Sequence, residues 1–140
     1  MEIDFVIPWV DGSDPSWRTE KYKYMGIDEP DAGDERYRDM GILKYWFRAA
    51  EAYAPWVNRI HFVTCGQTPE WMNTANEKLN LVHHQDFIPE AYLPTFNSHT
   101  IELNFHRIPG IAEHFVYFND DMFLNSNTVP EDFFVDGLPC

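Results

Sequence analysis

Cysteine is nearly missing from this chain of 140 residues: Cys65 and Cys140 are the only two, and the second is the last residue. That excludes a disulfide-stapled framework, and the spacing is not that of zinc ligands. Basic residues are also scarce, 10 Lys and Arg against 23 Asp and Glu, for a formal net charge of -13. So acidic a chain lacks the electrostatic footprint for nucleic acid or an anionic membrane surface. An anionic ligand would need a local device instead: a helix N-terminus, a few arginines or a metal ion. Apolar runs long enough to span a membrane are missing. The first residues, Met1-Glu2-Ile3-Asp4, carry neither the basic segment nor the apolar stretch of a signal peptide. A soluble chain in a reducing compartment is expected. There is no internal repeat, Ser-His-Asp order, nucleophile elbow, phosphate loop or dinucleotide glycine fingerprint.

Apolar residues are abundant. They make up 44% of the chain, with aromatics at 16%, which excludes a disordered polymer and suffices for a core. Four β-rich runs stand out, "IDFVIPWV" (3–10), "RIHFVT" (59–64), "LNLVHH" (79–84) and "HFVYFN" (114–119). Between the first two, Ile42, Leu43, Trp46, Phe47 and Ala50 recur at helical spacing within 39–55, with Asp39 as a cap and Pro55 as a stop. A second helix is expected over 97–110, capped by Asn97 or Ser98 and closed by Pro109-Gly110. A short turn with Pro69, over 68–73, separates the second and third runs. This alternation predicts a single α/β domain over 1–140, a largely parallel sheet with flanking helices. Segment 18–38, polar and acidic with Pro30 and Gly33, reads as a mobile or functional loop.

In open α/β sheets ligands bind beyond the carboxyl ends of the strands, where the strand order reverses. All four strand ends here carry glycine, amide or carboxylate groups. They are Asp11-Gly12-Ser13-Asp14, then Gly66-Gln67, then "HHQD" (83–86), then Asn119-Asp120-Asp121. Two carboxylates at a strand end suit Mg²⁺ or Mn²⁺, which take one or two carboxylates and complete their shell with phosphate and water. The same Asp120-Asp121 pair is also a common helix or turn cap. Asp11-Gly12 is a common turn and Asp14-Pro15 a common helix start, yet Gly12 would also let backbone amides approach a phosphate or ribose. Ser98, Glu102 and His106 fall at i, i+4 and i+8, either a solvated stripe or the lining of the cleft. His83 and His84 lack a third ligand at metal spacing and read as structural, as do His61 and His114.

Several segments together resemble one family. "IDFVIPWVDGSDPSW" (3–17) is similar to the first conserved region of the Stealth proteins. Segments 36–73 and 81–123, the latter ending "HFVYFNDDMF", are similar to the second. The family contains bacterial capsular polysaccharide phosphotransferases and the catalytic subunit of the eukaryotic N-acetylglucosamine-1-phosphotransferase. The resemblance implies a glycosyltransferase-A-like or Rossmann-like α/β nucleotide-sugar-binding fold. It implies transfer of a sugar 1-phosphate from a nucleotide diphosphate sugar to a hydroxyl of a polysaccharide or glycan acceptor, with release of the nucleoside monophosphate. The setting it implies is capsule synthesis in the bacterial cytoplasm, beside the inner membrane. Carried over residue by residue, Asp120 and Asp121 would hold Mg²⁺ or Mn²⁺ or activate the acceptor hydroxyl. Trp9, Val10, Asp11, Gly12 and Asp14, with Arg38, Asn97 and Ser98, would bind the nucleotide sugar. Arg38, Asn97, Ser98, Glu102, His106 and Arg107 match further family positions, with Arg107 or Arg38 stabilising phosphate charge. On this resemblance the chain corresponds to the amino-terminal part of a larger catalytic domain. The competing expectations are a metal-dependent glycosyltransferase with the same donor and a fragment that only binds the nucleotide sugar.

Overall fold

The computed structural model describes residues 1–27 and 41–140. Four strands form one parallel sheet: β1 (Ile3–Pro8), β2 (Ile60–Thr64), β3 (Leu79–His83) and β4 (His114–Tyr117), in the order β3-β2-β1-β4. Each falls inside an expected run; β2 ends with its run at Thr64, and the other three end a residue or two sooner, β1 at Pro8, for example, rather than Val10. Val6 sits beside His61 on one side and beside Tyr117 on the other. The chain adds strands outward from β1 to β3, then returns to place β4 on the opposite side of β1. The order therefore reverses between β1 and β4.

Alternation along the strands divides the core into two layers. Phe5, Ile7, Phe62 and Phe118 face α2 (Leu43–Tyr53), whose Leu43, Trp46 and Ala50 are buried against them. Phe5 lies at the centre, with edge contacts to Trp46, Trp56 and Phe118 at centroid distances of 6.4, 5.6 and 4.8 Å. Edge-to-face packing of this kind adds to area burial. On the other face Val6, Val63 and Val82 meet Phe87 of α3 (His84–Phe87) and Phe105 and Ile108 beyond α4 (Ser98–Glu102).

Several expectations change. Residues 18–25 are not loop but the greater part of α1 (Pro15–Met25). Asp14 caps it, Pro15 opens it, and Gly26 closes it at φ 70. Its buried Trp17 packs edge-on against Phe96 at 5.8 Å. The rest of the expected loop, 28–38, lies outside the described residues. Asp39, the expected cap of α2, lies there too; the helix begins at Leu43 with Ile42 as its cap residue, after Gly41 at φ 70. Between β2 and β3 there is no helix, only turns. The expected helix over 97–110 stops at Glu102 and tightens into a 3₁₀ turn over Phe105–Arg107. The Asn104 side chain donates to the Thr100 carbonyl at 2.8 Å, and Asn104 N bonds to Ile101 O, so the α-helical ladder is replaced. A small antiparallel hairpin, β5 (Phe134–Val135) and β6 (Leu138–Pro139), turns through Asp136 at φ 53 and Gly137 at φ 79. Both cysteines are free.

One buried acid ties the sheet together. Asp4 is fully buried. Its Oδ1 accepts from Asn58 Nδ2 at 2.8 Å and Arg59 N at 3.1 Å, and its Oδ2 accepts from Ala112 N at 2.8 Å and His61 Nε2 at 2.8 Å. Asn80 Nδ2 meets His61 Nδ1 at 2.9 Å, which fixes the ring so that Nε2 faces the carboxylate as donor. Burial by itself would raise the Asp4 carboxyl. The bonds from His61, Ala112 and Asn58 outweigh it and hold the group below the ordinary carboxylate range. The folded pKa is thus the lower one. Its stabilisation is complete above the unfolded value of about 3.9 and is lost as pH falls through the folded value. Asp4→Asn should cost about 3 kcal/mol at pH 7, because the amide keeps one acceptor oxygen and turns its NH₂ toward two of the four donors. Urea unfolding at pH 7 and pH 3 should show that cost shrinking at the acid end.

Candidate active site

The reversal of strand order brings two chain segments to one rim. Trp9 N donates to Val63 O at 2.9 Å, and Phe118 N donates to Val6 O at 2.9 Å. Past these bonds β1 runs into the loop 9–14 and β4 into the turn Asn119-Asp120-Asp121, side by side at the carboxyl end of the sheet. This is the crevice position of open α/β sheets.

The first segment is held by Gln67, at the end of β2. Asp11 N donates to Gln67 Oε1 at 2.7 Å, while Gln67 Nε2 donates to Asp11 O at 3.1 Å and to Asp14 Oδ2 at 3.0 Å. Thr64 Oγ1 donates to Gln67 O at 2.9 Å and fixes the latch to the strand. Asp11 Oδ1 accepts from Ser13 N and Ser13 Oγ, closing an Asx turn around the buried Gly12. Asp14 Oδ1 accepts from Ser16 Oγ, Ser16 N and Trp17 N. The Ser16 and Gln67 side-chain bonds, then the backbone bonds, outweigh desolvation and bring its pKa down to about 2. Asp14 is therefore the cap of α1. Trp9 packs on Phe62 at 5.7 Å, and Val10 is half-buried beside it.

The second segment is acidic. Asp120 and Asp121 are exposed on a turn closed by Met122 N donating to Asn119 O at 3.1 Å. Tyr117, the last residue of β4, donates its hydroxyl to Glu102 Oε1 at 2.7 Å, and Asn119 Oδ1 also lies against that hydroxyl. Burial, the Glu102 bond and the charges of Glu102, Asp120 and Asp121 push the phenol far above its usual range. Glu102 therefore belongs with the aspartates around one protonated tyrosine. The expected stripe does not extend to His106, which lies beyond the end of α4 and is exposed.

The other expected residues are more scattered. Asn97 caps α4, its Oδ1 accepting from His99 N at 2.9 Å, and Ser98 opens the helix as an exposed residue. Arg107 is exposed on the 3₁₀ turn, and no ion pair among the described residues joins it to the aspartate turn. Arg38 lies outside the described residues. His84, after β3, is held largely uncharged: burial first, then the His83 charge, lower its pKa to about 4. No group of three or more metal-ligating His, Cys, Asp or Glu side chains converges among the described residues. Two exposed carboxylates suit a hard cation that takes most of its shell from water and phosphate, and do not suit a closed protein cage. Tyr117 is the participant missed from sequence. The alternation of "HFVYFN" places it on the face of Phe115, toward α4, which is the signal that could have found it.

Comparison with known proteins places the sequence in a family. Residues 1–29 match Stealth protein CR1, conserved region 1, and residues 36–139 match Stealth protein CR2, conserved region 2. The chain is 53% identical over 139 residues to the capsular polysaccharide phosphotransferase WcwK of Streptococcus pneumoniae, covering 98% of this chain and 42% of that protein. It is 52% identical over 140 residues to the exopolysaccharide phosphotransferase cps2G of Lactiplantibacillus plantarum (99% and 41%). It is 50% identical over 141 residues to the capsular polysaccharide phosphotransferase eps5J of Streptococcus thermophilus (98% and 59%). The chain thus spans less than two thirds of the length of each of these relatives.

The Gln67 latch gives a direct test of the first segment. Gln67→Ala should cost about 1 kcal/mol and leave the fold intact. The Asp11 amide should exchange hydrogen markedly faster, while amides of β1 and β2 remain protected, as read by NMR exchange. With two conserved-region matches covering nearly the whole sequence, the chain belongs to the Stealth family.

Proposed function

We propose that this chain supplies the donor-binding rim of a sugar-1-phosphate transferase acting in cell-surface polysaccharide synthesis. The observation that carries the proposal is the pairing of a latched Asx loop with an exposed aspartate turn at the reversal of strand order. The donor in this proposal is a nucleotide diphosphate sugar and the acceptor a glycan hydroxyl. The naming of relatives as capsular and exopolysaccharide phosphotransferases supports that class.

The loop 9–14 binds the donor against the part-buried side chains of Trp9 and Val10, on a backbone held rigid because the amides of Trp9, Asp11, Ser13 and Asp14 already donate within the protein. Asp14 contributes by holding α1 and the loop in place. The acceptor oxygen forms a bond to the phosphorus that carries the sugar. The bridging P–O bond of the diphosphate breaks, and the nucleoside monophosphate leaves with its electrons. The hydroxyl proton passes to a carboxylate of the rim, which we assign to Asp121, with Asp120 beside it. Mg²⁺ or Mn²⁺ held by Asp120 and Asp121 would supply charge neutralisation at the diphosphate, which an acidic rim otherwise repels. Arg107 or Arg38 is the proposed source of further positive charge. Chemistry of this kind rests on positioning and electrostatics, so few protein groups are required. Tyr117 and Glu102 position the turn and do not touch the reacting atoms in this scheme.

Asp121→Asn in the whole protein should lower sugar-phosphate transfer by about 100-fold or more. A chelator should abolish transfer, and added Mg²⁺ or Mn²⁺ should restore it. Activity within a few-fold of wild type for the variant would remove Asp121 from the mechanism. Release of nucleoside diphosphate in place of monophosphate would instead identify a glycosyltransferase.

A further inference from the structure

The opposite end of the sheet carries a cleft of about 490 Å³, between α2 and the connection from β2 to β3. Its floor is apolar, formed by Phe47, Ala50, Val57, Ile60 and Leu79. Ile60 and Leu79 are the first residues of their strands, so the cleft lies away from the aspartate rim. Lys44, Arg48 and Lys78 stand around it against a single acid, Glu51. In a chain with 23 acidic and 10 basic residues, a cleft lined by three cations and one acid is a local inversion of charge. Lys44 Nζ and Arg48 Cζ lie over the Tyr45 ring, 5.2 and 5.4 Å from its centroid, and Lys78 Nζ donates to Pro55 O at 2.8 Å.

The facing wall has the chemistry of a saccharide. Trp71 is 49% exposed, and its edge contact with Phe47 at 6.0 Å anchors the indole while much of it stays open to solvent. A half-exposed indole offers a flat apolar surface to the C–H face of a pyranose. Asn73 and Asn76 line the same wall, and their Oδ1 atoms accept from Ala75 N at 3.1 Å and Lys78 N at 2.9 Å. Each amide is oriented by that bond and keeps its Nδ2 for an acceptor such as a sugar hydroxyl or a phosphate oxygen. The cleft volume is that of a small-ligand site. An amphipathic helix would require a row of anchors over two turns.

We propose that this cleft binds a phosphodiester-bearing oligosaccharide, the class of product that sugar-1-phosphate transfer makes. The identity of the glycan rests on the function proposed above; the cleft's preference for an anionic saccharide rests on its own residues. Titrating the ¹⁵N-labelled whole protein with two hexoses joined through phosphate should shift the Trp71 indole and the Asn73 and Asn76 side-chain amides. Arg48→Gln should weaken binding about tenfold, and added salt should weaken it further. Trp71→Ala should reduce the affinity to that of inorganic phosphate alone. Asp121→Asn should bind the probe as wild type does, which separates this site from the transfer site. The proposal is overturned if these resonances do not move, if inorganic phosphate or a neutral disaccharide binds equally well, or if Asp121→Asn abolishes the shifts. Tighter binding of an acidic peptide would also overturn it and make the cleft a protein-docking site.

Discussion

The Asp4 carboxylate, buried and surrounded by four donors, fixes the frame on which the rest of this protein is built. Its partners come from the turn before β2, from β2 itself and from the segment that leads into β4. Asn80 extends the file to β3 through His61. A charge in that position is tolerable only while every donor stays in place. Breaking one contact therefore penalises any displacement of three strands relative to β1. Because the strands are parallel and joined by regular ladders, fixing their amino-terminal ends also fixes the level at which β1 and β4 leave the sheet at the other end. The rim is a consequence of this buried acid.

The acids of the chain sort by who satisfies them. Asp4 is saturated by protein, and Asp14 is saturated by α1 and Gln67. Asp86 and Asp132 accept from the amides of His83 and Val129 at the starts of their short helices. Each of these carries structure. Asp120 and Asp121 differ in lying exposed on a turn at the reversal of strand order, with a protonated tyrosine behind them. Exposed acids in that position are the ones to which a cation and its phosphate ligands have access. That distinction gives the aspartate pair a chemical use that its sequence pattern alone leaves ambiguous.

The parallel sheet was legible because its strands are short apolar runs bounded by polar ends, and the rim was legible because those ends share residue types. Other parts were hidden for physical reasons. The length of α1 was obscured by its polar composition, since only Trp17 and Lys21 are buried along it. Its capping signals, Asp14-Pro15 and Gly26, were present and outweighed by the surrounding charge. The break after Glu102 depends on one side chain, Asn104, competing for a carbonyl, which periodicity cannot register. The hairpin after Phe133 turns on Asp136-Gly137, a strong local signal in strands too short to show alternation. Asp4 is a lone acid inside an apolar run, and only its tertiary partners explain it. Among the candidate site residues, the strand-end pattern pointed to segments only, while the separation of Asp14 as a cap from Asp120 and Asp121 as exposed acids required the structure.

The charge arrangement gives direction to the proposed reaction. An acidic rim at the carboxyl end of the sheet disfavours any anion that lacks a cation to bridge it. A glycan that has just gained a phosphodiester is such an anion once the leaving nucleotide and its metal depart. At the amino-terminal end of β2 and β3 the cleft carries Lys44, Arg48 and Lys78 against Glu51, with Trp71 to meet the sugar. The opposite signs at the two ends would disfavour retention of such a product at the rim and favour its capture at the cleft once it arrives there. With a formal net charge of -13 the rest of the surface offers such a chain little competition. Screening limits this pull to about 8–10 Å at physiological salt, so the field selects among nearby contacts and does not act across the whole sheet.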